Sequence, residues 1–185
     1  MKKKLIAAAV VALCLSLMAY STIAYFTHED TARNVITSGN ISIDIQEKAE
    51  NDEPFRDVVG VMPGQSFAKI VTVHNDGDNA AYVRIHVSKA INLASGVQGT
   101  PDIGLISMDM NTEKWSLQDD GYWYYKSALE PGETTAPLFK QVKFDKSMGN
   151  MYQNSQAVIT VLAQATQVKN NGTNVFDAAG WPAAE

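Results

Sequence analysis

Residues 81–88 read Ala81-Tyr82-Val83-Arg84-Ile85-His86-Val87-Ser88, and the apolar side chains at 81, 83, 85 and 87 alternate without a break with Tyr82, Arg84, His86 and Ser88. A period of two sends successive side chains to opposite faces of an extended backbone, so this stretch predicts a β-strand with one face in a core. The same alternation occurs upstream, where Ile41, Ile43 and Ile45 interleave with Ser42, Asp44 and Gln46. Residues 67–73 and 157–165 are rich in β-branched and small apolar types on both faces, which predicts strands covered on both sides. Outside the first 24 residues no segment carries a sustained helical stripe.

Met62-Pro63-Gly64, Asn75-Asp76-Gly77, Asp120-Gly121, Glu130-Pro131-Gly132 and Asn171-Gly172 separate these runs. Each supplies a fixed φ or a residue that tolerates positive φ. Without amphipathic helices for crossovers, parallel βαβ units are not expected. The expected fold is all-β: a two-sheet antiparallel sandwich of jelly-roll or immunoglobulin-like type over residues 41–168, preceded by an N-terminal signal helix. Residues 90–111, broken by Gly96, Gly99, Pro101 and Gly104, read as a long surface loop with a short helical turn. The tail, 169–185, is weakly patterned, with Phe176 and Trp181 available to tuck against the sandwich.

The chain has 185 residues, 45% hydrophobic, 9% aromatic and 19% charged, a composition that excludes disordered and collagen-like classes. Lys2, Lys3 and Lys4 form a basic start, followed by an apolar run from Leu5 to Tyr20 and the small-residue exit Ser21-Thr22-Ile23-Ala24. That is the layout of an export signal at 1–24, with the cut between Ala24 and Tyr25; a retained membrane anchor is the alternative. Without the leader's three lysines, 12 of the 15 basic residues remain against 20 acids, a balance of −8. Nucleic acid is therefore not an expected partner, and a membrane enters only through an uncleaved signal. The one cysteine, Cys14, lies in the leader, so the exported part has neither a disulfide nor a thiolate metal site; Leu13 before it disfavours lipid attachment.

Around the cut, Ala24-Tyr25-Phe26-Thr27, Asp30-Thr31 and Ser38-Gly39-Asn40-Ile41-Ser42-Ile43 resemble the start of proteins processed by the SipW-type signal peptidase of Gram-positive bacteria, the TasA/camelysin family. Val61-Met62-Pro63-Gly64, Lys69, Val73, Asn75, Gly77, Ala81-Tyr82-Val83-Arg84, Gly121-Tyr122-Trp123-Tyr124-Tyr125-Lys126, Leu129-Pro131-Gly132-Glu133-Thr134, Ile159-Thr160-Val161 and Ala163-Gln164-Ala165 extend the resemblance through the body. It implies a SipW-type signal peptidase as processing partner, a location on the cell surface or in the extracellular matrix of a Gram-positive bacterium, and self-association or association with related matrix subunits in biofilm fibres. Camelysin-like relatives also carry a metallopeptidase classification.

The residues give that classification little to use. His28-Glu29 has no second histidine one turn on, so the helical zinc-protease motif is absent. His74 and His86 would have to meet across neighbouring strands and recruit a third ligand. Asp76, Asp78 and Asn79 resemble a fragment of a calcium loop, but the spaced acids and terminal glutamate of an EF-hand are missing; Asp119-Asp120-Gly121 has the same ambiguity. Tyr122, Trp123, Tyr124 and Tyr125 alternate across a strand, one pair expected in the core and the other as a surface ladder, with a sugar-stacking platform as the alternative. No phosphate loop, nucleophile elbow or cofactor motif is present, so no enzyme and no cofactor are expected.

A mechanism without catalytic residues remains. An extended segment can add to an open sheet edge through main-chain hydrogen bonds. Cleavage would free a polar arm, 25–40, opening with Tyr25 and Phe26 and containing Ile36, directly before the strand marked by Ile41, Ile43 and Ile45. Added to the next subunit, that arm would give a head-to-tail contact that grows a fibre. The alternatives are a camelysin-like cell-surface metalloprotease and a non-polymerising carbohydrate-binding or adhesion module.

Overall fold

Extended segments dominate the computed structural model, which describes residues 34–38, 41–56 and 63–183. In chain order the strands are β1 Asn34–Ser38, β2 Ile43–Lys48, β3 Ser66–Ala68, β4 Ile70–Asn75, β5 Ala81–Asn92, β6 Ile106–Met108, β7 Trp115–Leu117, β8 Trp123–Tyr125, β9 Gln141–Phe144 and β10 Gln156–Gln167. Three single-turn 3-10 helices, Glu50–Asp52, Ile103–Leu105 and Asn150–Tyr152, are the helical content of the described residues. The all-β, sandwich-like expectation holds.

One layer is a five-stranded sheet in the order β1-β10-β5-β8-β7. The other is built from the β2-β4 pair and the β3-β9-β6 sheet. Residues 132–140 join these two: Thr135 N donates to Val73 O (2.9 Å), Leu138 N to Val71 O (2.9 Å) and Lys69 N to Lys140 O (2.9 Å). The longest ladder pairs β10 with β5 from Gln156↔Asn92 to Gln167↔Ala81. One ladder departs from the antiparallel expectation, because β1 runs parallel to β10, from Asn34↔Leu162 to Ser38↔Thr166. No crossover helix is needed, since these are the first and last strands and the rest of the sandwich is their connection.

The inward faces make the core. Ile43 and Ile45 of β2, Val71 and Val73 of β4, Val83 and Ile85 of β5, Val142 of β9, and Val161, Ala163 and Ala165 of β10 belong to one buried cluster with Trp115, Leu138 and Phe139. Trp115 is fully buried and donates its indole N–H to Ala136 O at 2.9 Å, which removes the cost of burying that polar atom. Ile45 has no exposed surface, so Ile45→Val, which deletes one methylene, is expected to cost about 1 kcal/mol in a urea unfolding experiment.

Several local expectations are corrected. The strand expected over 67–73 breaks at Lys69: β3 pairs with β9, β4 with β2, and the Lys69 side chain turns inward. The Asn75-Asp76-Gly77 turn does not close a hairpin, because β4 and β5 lie in different sheets. Asn75, fully buried, organises the link by donating Nδ2 to Asn79 O and Leu129 O (both 2.9 Å) and accepting from Gly77 N (3.1 Å). Within 90–111, β5 runs on to Asn92 and β6 forms at 106–108; Asp102 caps the intervening 3-10 turn by accepting from Gly104 N at 2.8 Å. Loop is left at 93–102 and 109–111.

The outer face of β5 is covered as well. Tyr82, Tyr122, Tyr124 and Val175 form a second buried cluster, packed with Trp181 and Ala178 from the tail. The surface ladder expected of one tyrosine pair is thus roofed by the tail, while Trp123 and Tyr125 pack against the main core.

Candidate functional site

The edge formed by β10 bears most directly on strand addition. Its sequence, Gln-Ala-Val-Ile-Thr-Val-Leu-Ala-Gln-Ala-Thr-Gln, has no charged residue and no proline in twelve positions. Sheet edges are normally guarded by charge, proline or a cover, because a flat apolar edge is a template for another strand. Among the described residues the guard here is β1, which covers β10 from Leu162 to Thr166. Val35 packs against the main core, so the pairing has an apolar anchor as well as main-chain bonds.

The sequence-derived assembly residues fall into three groups. Ala24, Tyr25 and Phe26 lie outside the described residues. Ile36 sits in β1 at the register position opposite Gln164. Ile41, Ile43 and Ile45 are buried in the chain's own core at 7%, 6% and 0% exposure. β1 itself lies inside the 25–40 segment and joins the sheet, and Val175, Ala178 and Trp181 of the tail pack against its outer face.

Two buried charge clusters were not marked as sites by the sequence. Arg84, on the outer face of β5, donates Nε and Nη2 to Gln164 Oε1 (2.9 and 2.7 Å) and Nη1 to Tyr124 Oη (2.7 Å) and Asp120 Oδ2 (3.0 Å). Its guanidinium lies 4.1 Å from the Tyr122 ring centroid and 4.6 Å from that of Trp181. A planar cation suits this position because it stacks on aromatic faces while its edge donates in a fixed fork. Asp120 also accepts from Tyr124 Oη (2.7 Å) and Tyr122 N (3.1 Å), so it is a fixed partner rather than the solvated loop charge its neighbour Asp119 remains. The second cluster is the Lys69–Glu47 pair, Nζ to Oε2 at 2.8 Å, with both side chains at most 4% exposed and Nζ 4.0 Å from the Phe55 ring centroid. An alternating strand shows which residues are polar, but not which neighbours cover its outer face.

Burial, and the hydrogen bond to Asp120, push the Tyr124 phenol above its ordinary value of 10.0 against the opposing effect of Arg84. A folded pKa above the unfolded one means that this stabilisation is complete below the unfolded value and is lost as pH rises through the folded one. Trp181 fluorescence is therefore expected to hold steady to about pH 10 and to change above it, with that alkaline step absent in Tyr124→Phe.

The candidate ligands do not converge. His28 is outside the described residues. His74, on β4, shares a hydrogen bond with Thr134 Oγ1 at 3.0 Å, and His86, on β5 in the other layer, packs its ring 5.3 Å from Tyr122. Asp76 and Asp78 are exposed on the link that Asn75 organises. Among the described residues no group of three or more His, Cys, Asp or Glu side chains is placed to hold a metal ion.

The profile of a family described as camelysin metallo-endopeptidase matches residues 1–104. No curated protein matches the chain. The family description implies a metal, and no cluster among the described residues fits one. The match spans more than half of the 185 residues and takes in residues 1–24, the first strands and the Tyr82-Val83-Arg84 strand; the chain belongs to the camelysin family, whose TasA-like and camelysin members are extracellular or cell-surface proteins.

Proposed function

We propose that this protein is an exported structural subunit of the bacterial cell surface or extracellular matrix, and that it polymerises by strand addition. Signal peptidase of the SipW type would cut between Ala24 and Tyr25. The freed segment, Tyr25 onward and including β1, would then leave its own β10 and pair with β10 of the next subunit. The observation that carries this reading is the pairing of a five-residue parallel edge strand with a twelve-residue strand that has no charge of its own. Exchange of such a strand conserves every main-chain bond between the single chain and the assembly, so the equilibrium shifts with small changes in concentration or in the covering segment. A head-to-tail contact of this kind does not close on itself and grows a filament.

Protein beginning at Tyr25 is expected to form filaments in negative stain, whereas protein lacking residues 25–38 stays monomeric. A synthetic peptide of residues 25–40, added in excess, should cap growth of the longer form and bind the shorter one. A form starting at Tyr25 that remains single at high concentration and takes up no peptide would end this proposal. The family's enzymatic description predicts something different: chelator-sensitive cleavage of casein by the same preparation, lost on His74→Ala or His86→Ala. Retention on polysaccharide, lost on Trp123→Ala, would favour the adhesion module instead.

A further inference from the structure

Asn171-Gly172 is the one Asn-Gly pair in the chain, and it sits at the root of the tail that covers the outer face of β5. Asn171 Nδ2 donates to Gln167 O (2.9 Å), Ala179 O (3.0 Å) and Thr166 Oγ1 (3.1 Å), while Oδ1 accepts from Ala179 N (2.8 Å). This one amide ties the end of β10 to the far end of the tail, and between those points Val175 is buried to 1% exposure. Beyond it Trp181 reaches Arg84 and packs edge-on against Tyr124 with ring centroids 5.4 Å apart. Gly172 has φ +75, and a Cβ there would lie 3.0 Å from the Asp177 backbone, so the turn accepts only glycine without strain.

We infer that Asn171 is a site of spontaneous deamidation and that its conversion to a carboxylate unlatches the tail from the sheet. The Gly172 backbone nitrogen, with no side chain to shield it, attacks Asn171 Cγ. The new N–Cγ bond replaces the Cγ–Nδ2 bond, ammonia leaves, and a cyclic imide remains. Water then opens the ring at either carbonyl to give aspartate or isoaspartate; in sum, one water is consumed and one ammonia released. The residue is half-buried and its link to Gly172 is exposed, so water reaches the site.

The consequence follows from the hydrogen-bond inventory. An amide supplies two N–H donors and a carboxylate supplies none. After conversion, Gln167 O and Ala179 O, both on exposed residues, face a negative oxygen where they had faced a donor, so attraction at the latch gives way to repulsion. Isoaspartate adds a methylene to the main chain and displaces the turn as well. While the latch is closed its four hydrogen bonds fix the Asn171 side chain. The reaction therefore proceeds from openings of the tail, and each conversion makes closure harder. The device is a one-way clock, independent of whether filaments form.

The test is to age the purified full chain in mildly alkaline buffer at 37 °C and follow Asn171 by peptide mapping, with isoaspartyl methyltransferase labelling. A chemically denatured sample serves as the fast reference. The acid and isoaspartyl forms are expected to accumulate at Asn171, more slowly than in the denatured chain. The converted fraction should match the fraction whose tail is cut by protease and whose Trp181 emission shifts to the red. Asn171→Asp should show both changes without ageing. An aged chain that keeps its amide while the denatured reference converts, or a converted chain whose tail stays protease-resistant, would overturn the inference.

Discussion

Replacing Lys69 with methionine is expected to lower the unfolding free energy by about 3–5 kcal/mol, because it strands the Glu47 carboxylate in an apolar pocket. Both side chains are at most 4% exposed and meet at 2.8 Å, with Phe55 over the ammonium and Phe67 stacked on Phe55 at 6.0 Å. Two charges taken from water are poorly repaid by their mutual attraction, yet one charge left alone is worse. The double replacement Lys69→Met with Glu47→Leu is accordingly expected to recover most of the loss. Urea unfolding of the two single variants and the double one gives the coupling energy directly. Equal losses in the double and the Lys69→Met variant would show that the cost lies in packing and not in the stranded charge.

Arg84→Ala is expected to be the next most damaging change, at about 3–4 kcal/mol, from an unsatisfied Gln164 Oε1 and the loss of two aromatic stacks. Gln164 is fully buried and Oε1 receives both Nε and Nη2 of Arg84, while its Nε2 is without a partner among the described residues. The Asp120 contribution is small, since its side chain is 40% exposed and water takes over. Arg84→Lys should recover little, because an ammonium neither stacks on Tyr122 and Trp181 nor donates as a fork. Denaturant unfolding with Trp181 emission separates the effects: the tail signal should move first and the main core later. A variant in which both transitions stay together and shift by less than about 1 kcal/mol would deny Arg84 this role.

Both clusters lie in sequence that had announced strands and nothing more. The period of two at 81–88 was enough to place Val83 and Ile85 inside, and it assigned Tyr82 and Arg84 to the opposite face correctly. Yet that face was expected to meet solvent, and Tyr82 and Arg84 are 5% and 8% exposed. The tail that covers them is weakly patterned because its hold is made by single residues, Asn171, Val175 and Trp181, whose spacing follows no secondary-structure repeat. Lys69 was hidden for a related reason. In a run of apolar residues one lysine reads as an outward charge, unless it is known that Glu47 from another strand arrives beside it.

For the assembly edge the division differs. The basic and then apolar run at 1–24, the Tyr25-Phe26 pair and the uncharged run at 156–167 were all present in the chain as letters. Their arrangement was not: a parallel pairing between the first and last strands depends on contacts across more than a hundred intervening residues, for which local patterning carries no information.

The sequence by itself determined that this protein is all-β, that strands run through 43–45 and 81–88 with Ile43, Ile45, Val83 and Ile85 inward, and that residues 25–185 contain no cysteine. Those properties follow from periodicity and composition, which are local. Only the tertiary structure decided that 67–73 is two strands in different sheets, that β1 shields β10, and that Arg84 and Lys69 are buried charges with partners. Those depend on which distant surfaces meet, and burial, hydrogen bonding and charge pairing acquire their energies only once they have met.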